Sequence, residues 1–305
     1  MLNPGNGLTR FRNGQTSLNK IHLIITSLQK RHRLGSKQGT NTCMNTTRTN
    51  TILFITGAFI GNNCWDEWKI YFESNGYHTL APPWPHKEFP PEELRRRHPD
   101  AAVAANRLTS LTEYFAGLIA ALPEKPVLIG HSLGGLIVQL LIQRNLGAAG
   151  IAIHSFPPRG IGIFRYSFIR QWWEAMGFFT STKEPYLMHF IRWKYSVVNG
   201  VTCEQQKESY YAYLVPESKR LIRDAFISAR KIDFTKPHAP LLFISGSQDQ
   251  MIPASQNLEN FRKYETPSSI TNYKDFEGSN HLIFGESMGR EEADFILFWL
   301  EEINK

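Results

Sequence analysis

The sequence predicts an α/β architecture: a mostly parallel sheet of about six strands, helices on both faces, and an inserted helical lid. Three observations predict it. Short apolar runs at 51–56, 77–81, 126–130, 149–154, 240–245 and 269–275 alternate with stretches of helical spacing, the pattern of strands joined by covering crossovers. Roughly eighty residues separate the fourth run from the fifth, where an ordinary crossover needs about fifteen. The chain, 305 residues with 42% apolar content, is long enough to build a substantial core around such a sheet.

In chain order, residues 1–48 read as a disordered basic extension, rich in Asn, Thr, Gly and Ser and without periodicity. Residues 1–50 hold eight Lys or Arg and no acid, a composition that also fits an organellar transit peptide, or a natural start at Met44 with the preceding residues an over-extended reading frame. The first strand is followed by Gly57, Ala58 and Phe59. Pro82-Pro83-Trp84-Pro85-His86 leaves the second strand as a rigid connector or as one wall of a site. A helix is expected over Ala101–Leu122 with Asp100 as its cap and Leu108, Leu111, Phe115, Leu118 and Leu122 on one face.

Residues 126–135, Pro-Val-Leu-Ile-Gly-His-Ser-Leu-Gly-Gly, carry the chemistry. A strand runs into Gly130-His131-Ser132-Leu133-Gly134 and then into a helix, which is the context of a nucleophile elbow. The turn must be tight enough to project the Ser132 hydroxyl, and glycine tolerates the crowding. Leu133, Leu136, Ile137, Leu140 and Leu141 recur at helical spacing behind it, so the helix presents its positive end to the serine.

A serine nucleophile needs a base and a carboxylate that orients the base. In the order Ser, acid, His, both belong in loops after later strands. Asp249 follows the run 240–246, and His281 follows the run 269–276. Asp275 is the rival acid, at the end of a strand with poor reach. His131 reads as a packed core histidine, and His154, at a strand end, as a residue that could line the site or equally fill a satisfied structural role. The two backbone donors of an oxyanion hole would be Leu133, directly after the serine, and Ala58, with Phe59 as the fallback.

Residues 156–235 form the expected lid between core segments 49–155 and 236–305. Phe156 to Phe234 hold 17 of the 38 aromatic residues, among them Trp172 and Trp173, which with Phe59 are read as substrate contacts. A helix from about Gly289 to Glu302 ends the chain.

These three loops resemble the α/β-hydrolase superfamily, in particular its compact esterase-like and cofactor-free haloperoxidase-like members, over about Thr51 to Lys305. The resemblance implies a triad of Ser132, Asp249 and His281 and an oxyanion hole of Ala58 and Leu133. Two departures stand out. Thr56-Gly57 replaces the usual His-Gly, so the loop after the first strand needs another brace. Leu282 follows the histidine where plant-type hydroxynitrile lyases carry lysine, and Ser132 excludes the relatives with an aspartate nucleophile.

The expected activity is therefore hydrolysis of small to medium apolar esters through an acyl-enzyme. Perhydrolase, haloperoxidase-like or thioesterase chemistry would use the same triad, and a non-catalytic ligand-binding protein could use the same scaffold. The net charge of +7 invites a nucleic-acid partner, but residues after 50 carry 26 bases against 27 acids, so none is expected. No run is long enough to span a membrane. Cys43, Cys64 and Cys203 lack metal or disulfide spacing. No cofactor and no metal are expected, and a cytoplasmic location fits.

Overall fold

Four apolar runs become fully buried strands. β1 (Thr51–Ile55), β3 (Val127–His131), β4 (Ala149–Ile153) and β5 (Leu241–Gly246) have no exposed residue, because both sheet faces are covered. The short β2 (His78–Leu80) and the alternating β6 (Thr271–Phe276) form the edges. The order is β2-β1-β3-β4-β5-β6, and every neighbouring pair is parallel. The computed structural model describes residues 49–161, 166–227, 231–285 and 289–305, apart from the side chains at 166–168 and 171. The segment 1–48, and with it every expectation for the basic extension, lies outside the described residues.

The helices divide between the two faces. After β1 come α1 (Asp66–Ser74), α2 (Pro91–Arg96), α3 (Ala101–Ala104) and α4 (Leu108–Ala120); α5 (Leu133–Ile142) follows β3, α10 (Ala254–Phe261) follows β5, and α11 (Arg290–Glu302) ends the chain. On one face Tyr71 of α1 meets Asp294 and Arg290 of α11. On the other, Asn260 of α10 donates to Gln139 of α5, and Arg144 beyond α5 pairs with Glu113 of α4. All ten residues of α5 are buried.

The single helix expected over Ala101–Leu122 is two. Asp100 caps the first part through Ala102 N–H at 2.9 Å, but the chain extends at Arg107 (φ −130°, ψ 151°) before α4 begins. Tertiary contacts take the backbone groups at this break. Ser218 Oγ meets the carbonyls of Ala104 and Asn106, and Asp224 accepts from Leu108 N–H while pairing with Arg107. Helical spacing is blind to such partners, which lie more than a hundred residues away.

Between β4 and β5 the chain carries α6 (Tyr166–Met176), α7 (Phe190–Ser196), α8 (Cys203–Tyr213) and α9 (Lys219–Ile227). Among the described residues no helix is long and apolar enough to cross a membrane.

Candidate active site

The strand order reverses beside β1: the chain passes from β1 outward to β2, then returns to lay β3 on the other side. A crevice opens at the carboxyl ends of the strands at such a switch point, between the loops after β1 and β3. Ser132 stands there with φ 56° and ψ −119°, 2% exposed. Its N–H donates to the Ile153 carbonyl at 2.9 Å, and its own carbonyl accepts from Gly135 and Phe156. Glycine is a steric requirement on this turn. A Cβ on Gly130 would lie 2.3 Å from the Gly134 oxygen, one on Gly134 2.1 Å from the Ile55 oxygen, and one on Gly57 2.8 Å from Ser132 Cβ. Phe59 (φ 66°) and His154 (φ 46°) share the positive φ of Ser132. Backbone strain at non-glycine residues therefore gathers after three neighbouring strands, as it does at functional sites.

The loops after β5 and β6 bring Asp249 and His281 together. His281 Nδ1–H donates to Asp249 Oδ2 at 2.8 Å, which leaves Nε2 as the basic nitrogen. The other carboxylate oxygen accepts from Met251 and Ile252 N–H, both at 2.8 Å, so the acid is locked by its own loop. The two loops are stitched by Gln248 N–H to the Ser279 carbonyl. Asp275 is exposed on the edge strand and shares no hydrogen bond with His281 among the described residues.

Two further histidines hold the His281 backbone. His131 Nε2–H donates to the His281 carbonyl at 2.8 Å, tying the histidine loop to the residue before Ser132, and His154 Nδ1–H approaches the same oxygen at 3.3 Å. His154 also lies 3.6 Å from Asp249 Oδ2. Burial pushes the pKa of both rings down, that of His131 well below the usual range, so both are neutral donors. His154 is fully buried, its ring centroid 5.8 Å from that of His281. The three imidazoles offer one nitrogen each within 4.8 Å of one another, a grouping that could hold a zinc-like ion. Each ring has one nitrogen committed to a carbonyl or carboxylate, while His131 Nδ1 and His154 Nε2 are buried without a hydrogen-bond partner among the described residues.

The loop after β1 is braced without the usual histidine. Trp65 Nε1–H donates to Thr56 Oγ1 at 3.1 Å, and the indole stacks on Phe54 at 4.7 Å. Ala58 is buried next to Gly57, and Leu133 begins α5 directly after the serine. The Phe59 amide is not available to a ligand: it donates to Glu217 Oε2 at 3.2 Å. That removes Phe59 as the fallback oxyanion donor.

Of the expected aromatic contacts, Trp172 is buried against Phe59 (6.0 Å) and Phe156 (5.2 Å between centroids), and Phe156 N–H is bonded to the Ser132 carbonyl. Trp173, one residue on, faces outward. It is 47% exposed beside Phe178 and Phe179, because neighbours on a helix diverge by about a hundred degrees. Glu217 and Lys87, which meet behind Phe59 at 2.6 Å, were not legible in the sequence: no motif marks either, and they stand 130 residues apart.

Residues 52–295 match the Alpha/beta hydrolase family. No curated protein sequence matches the chain. Among solved structures, the methylesterase MES16 from Arabidopsis superposes with a TM-score of 0.60 at 15% identity, covering 82% of this chain and 98% of the other. Polyneuridine aldehyde esterase gives 0.58 at 16%, covering 82% and 99%. The monoacylglycerol lipase of Paleococcus ferrophilus gives 0.56 at 17%, covering 82% and 93%. At these identities the likeness is one of fold.

Proposed function

The chain belongs to the alpha/beta hydrolase family, and from that premise we propose that it is a serine hydrolase cleaving esters of small to medium, largely apolar acids or alcohols. The observation that carries this reading is the Asp249–His281 hydrogen bond of 2.8 Å, in a loop bonded to the residue before a serine on a strained elbow. Ser132 Oγ attacks the ester carbonyl carbon while His281 Nε2 takes its proton. The oxyanion that forms is held by the amides of Ala58 and Leu133. His281 then protonates the departing alkoxide as the C–O bond breaks, leaving an acyl-serine. Water, deprotonated by the same nitrogen, attacks the acyl carbon and releases the acid and the free serine. Asp249 keeps the imidazole in the tautomer that both steps need.

The helical insertion supplies the apolar wall. Trp172 packs between Phe59 and Phe156, which flank the serine turn, and apolar surface there favours an acyl or alkyl chain over water. That two of the similar folds are esterases and one is a lipase supports an ester as the substrate class. The test pairs labelling by a fluorophosphonate probe with a panel of p-nitrophenyl esters. Ser132 should be labelled and Ser132→Ala should not. Specificity should rise several-fold per added carbon, about 0.8 kcal/mol per buried methylene, until the pocket fills. A folded protein that neither labels nor turns over any ester would overturn the reading.

A further inference from the structure

Glu217 is a fully buried carboxylate in the insertion, and one of its oxygens reaches the loop after β1. Its Oε2 accepts from the Phe59 amide at 3.2 Å and from Lys87 Nζ at 2.6 Å, and its Oε1 accepts from Ser218 N–H at 2.8 Å. Its main chain is fixed too, bonded in both directions to Tyr186 at 2.7 and 2.8 Å. Lys87 comes from the loop after β2. It is 5% exposed, with its ammonium 4.5 Å from the Trp84 ring centroid. Burial pushes its pKa down, and Glu217 opposes that shift.

Phe59 needs such a partner. A phenylalanine at φ 66° is held in a left-handed conformation that its side chain disfavours. Both of its peptide groups are pinned by the insertion: the amide by Glu217, the carbonyl by Val215 N–H at 2.8 Å. Gly61 N–H to the Tyr213 carbonyl at 2.9 Å continues the seam. The peptide that Glu217 fixes is the one joining Ala58 to Phe59, next to the amide assigned above to the oxyanion.

We propose that the Lys87–Glu217 pair is a positioning device for the oxyanion loop, setting the direction of the Ala58 amide from outside the reacting groups. This rests on the serine-hydrolase reading. Among the described residues neither side chain bonds to Ser132, Asp249 or His281, so the pair acts on the tetrahedral state through Phe59 and Ala58. A misaligned donor weakens the transition state more than the bound ester, since the oxyanion is the species that draws on it.

The experiment compares Glu217→Gln with the wild type in ester turnover, in affinity for an alkyl boronic acid that forms a tetrahedral adduct with serine, and in fluorophosphonate labelling. A misplacement of this kind costs up to about a hundredfold. We expect kcat to fall ten- to a hundredfold, KM to stay within about threefold, and boronate affinity to fall by the same factor as kcat. Lys87→Met with Glu217→Gln removes both charges together, so it avoids the unpaired buried ammonium that could unfold the single variant. It should show the same split. Unchanged kcat and boronate affinity in either folded variant would overturn the inference, as would a parallel loss in KM and kcat that follows the melting temperature. Wild-type protein that neither labels nor hydrolyses would instead remove the serine-hydrolase reading, and the inference with it.

Discussion

On the serine side of the crevice, geometry is held by the absence of side chains: a Cβ on Gly130 or Gly134 would strike backbone at 2.3 and 2.1 Å. On the oxyanion side, geometry is held by their presence. A strained phenylalanine is kept in place by a carboxylate 158 positions away, and that carboxylate by a buried lysine. The first arrangement is local and steric, written in a few adjacent glycines. The second is remote and electrostatic, assembled only when the insertion docks. Two halves of one proposed reaction centre thus depend on different physics, and they should fail differently.

The largest expected effect separates the acid from its rival. Asp249→Asn should lower kcat steeply, by as much as about 10⁴-fold as in the protease template, because an amide can hold His281 in the wrong tautomer. Asp275→Asn should leave turnover within about twofold. The reverse order in side-by-side kinetics would move the acid to Asp275.

Steric support should fail through stability. Gly134→Ala puts a methyl into the Ile55 carbonyl and should cost more than about 3 kcal/mol in denaturant unfolding, at the upper end of overpacking penalties. Gly117→Ala, in α4 with nothing within 4 Å of the new Cβ, should instead stabilise by about 0.5–1 kcal/mol. Equal effects at the two sites would show that the close approach is not what requires glycine at 134.

Acid should weaken the serine side through its buried histidines. His131 and His154 have folded pKa values below the ordinary 6.5, so the unfolded chain takes up their protons first. The stability tied to them is intact above about pH 6.5 and drains as pH falls below it, by up to about 1.4 kcal/mol per pH unit for each ring. Melting temperatures from pH 7.5 to 5.5 should decline, and His131→Asn should flatten the decline. An identical slope in that variant would leave the acid sensitivity to other groups.

The contrast between the two sides also marks what could be read from residues alone. The six strands and the serine turn were legible because each is announced by neighbours in sequence: an apolar run, a glycine, a helix start. Asp249 and His281 were legible because each follows a strand, and the structure pairs them. The break at Arg107, the outward turn of Trp173 and the capture of the Phe59 amide were not. Each depends on a partner brought close only by the fold: Ser218 and Asp224 for the break, the packing of α6 for the tryptophan, Glu217 for the amide. His131 read as a packed core residue, and it is buried. Its bond to the His281 carbonyl crosses 150 positions and has no local signature.

The seam at residues 213–217 bears on how such proteins trade parts. Sequence length marks 156–235 as an inserted cassette, yet its stretch from Tyr213 to Glu217 is hydrogen-bonded to 59–61, and Arg95 of α2 reaches the carbonyls of Tyr211 and Leu214. Cutting at the topological ends would carry away the scaffolding of the loop left behind. A transplant between relatives that respects the bonding to 59–61 and Arg95 would exchange the chain from α6 up to residue 210 and leave the strip from 211 onward with its host. Recombination at that inner border could vary the apolar wall while conserving the frame beneath it.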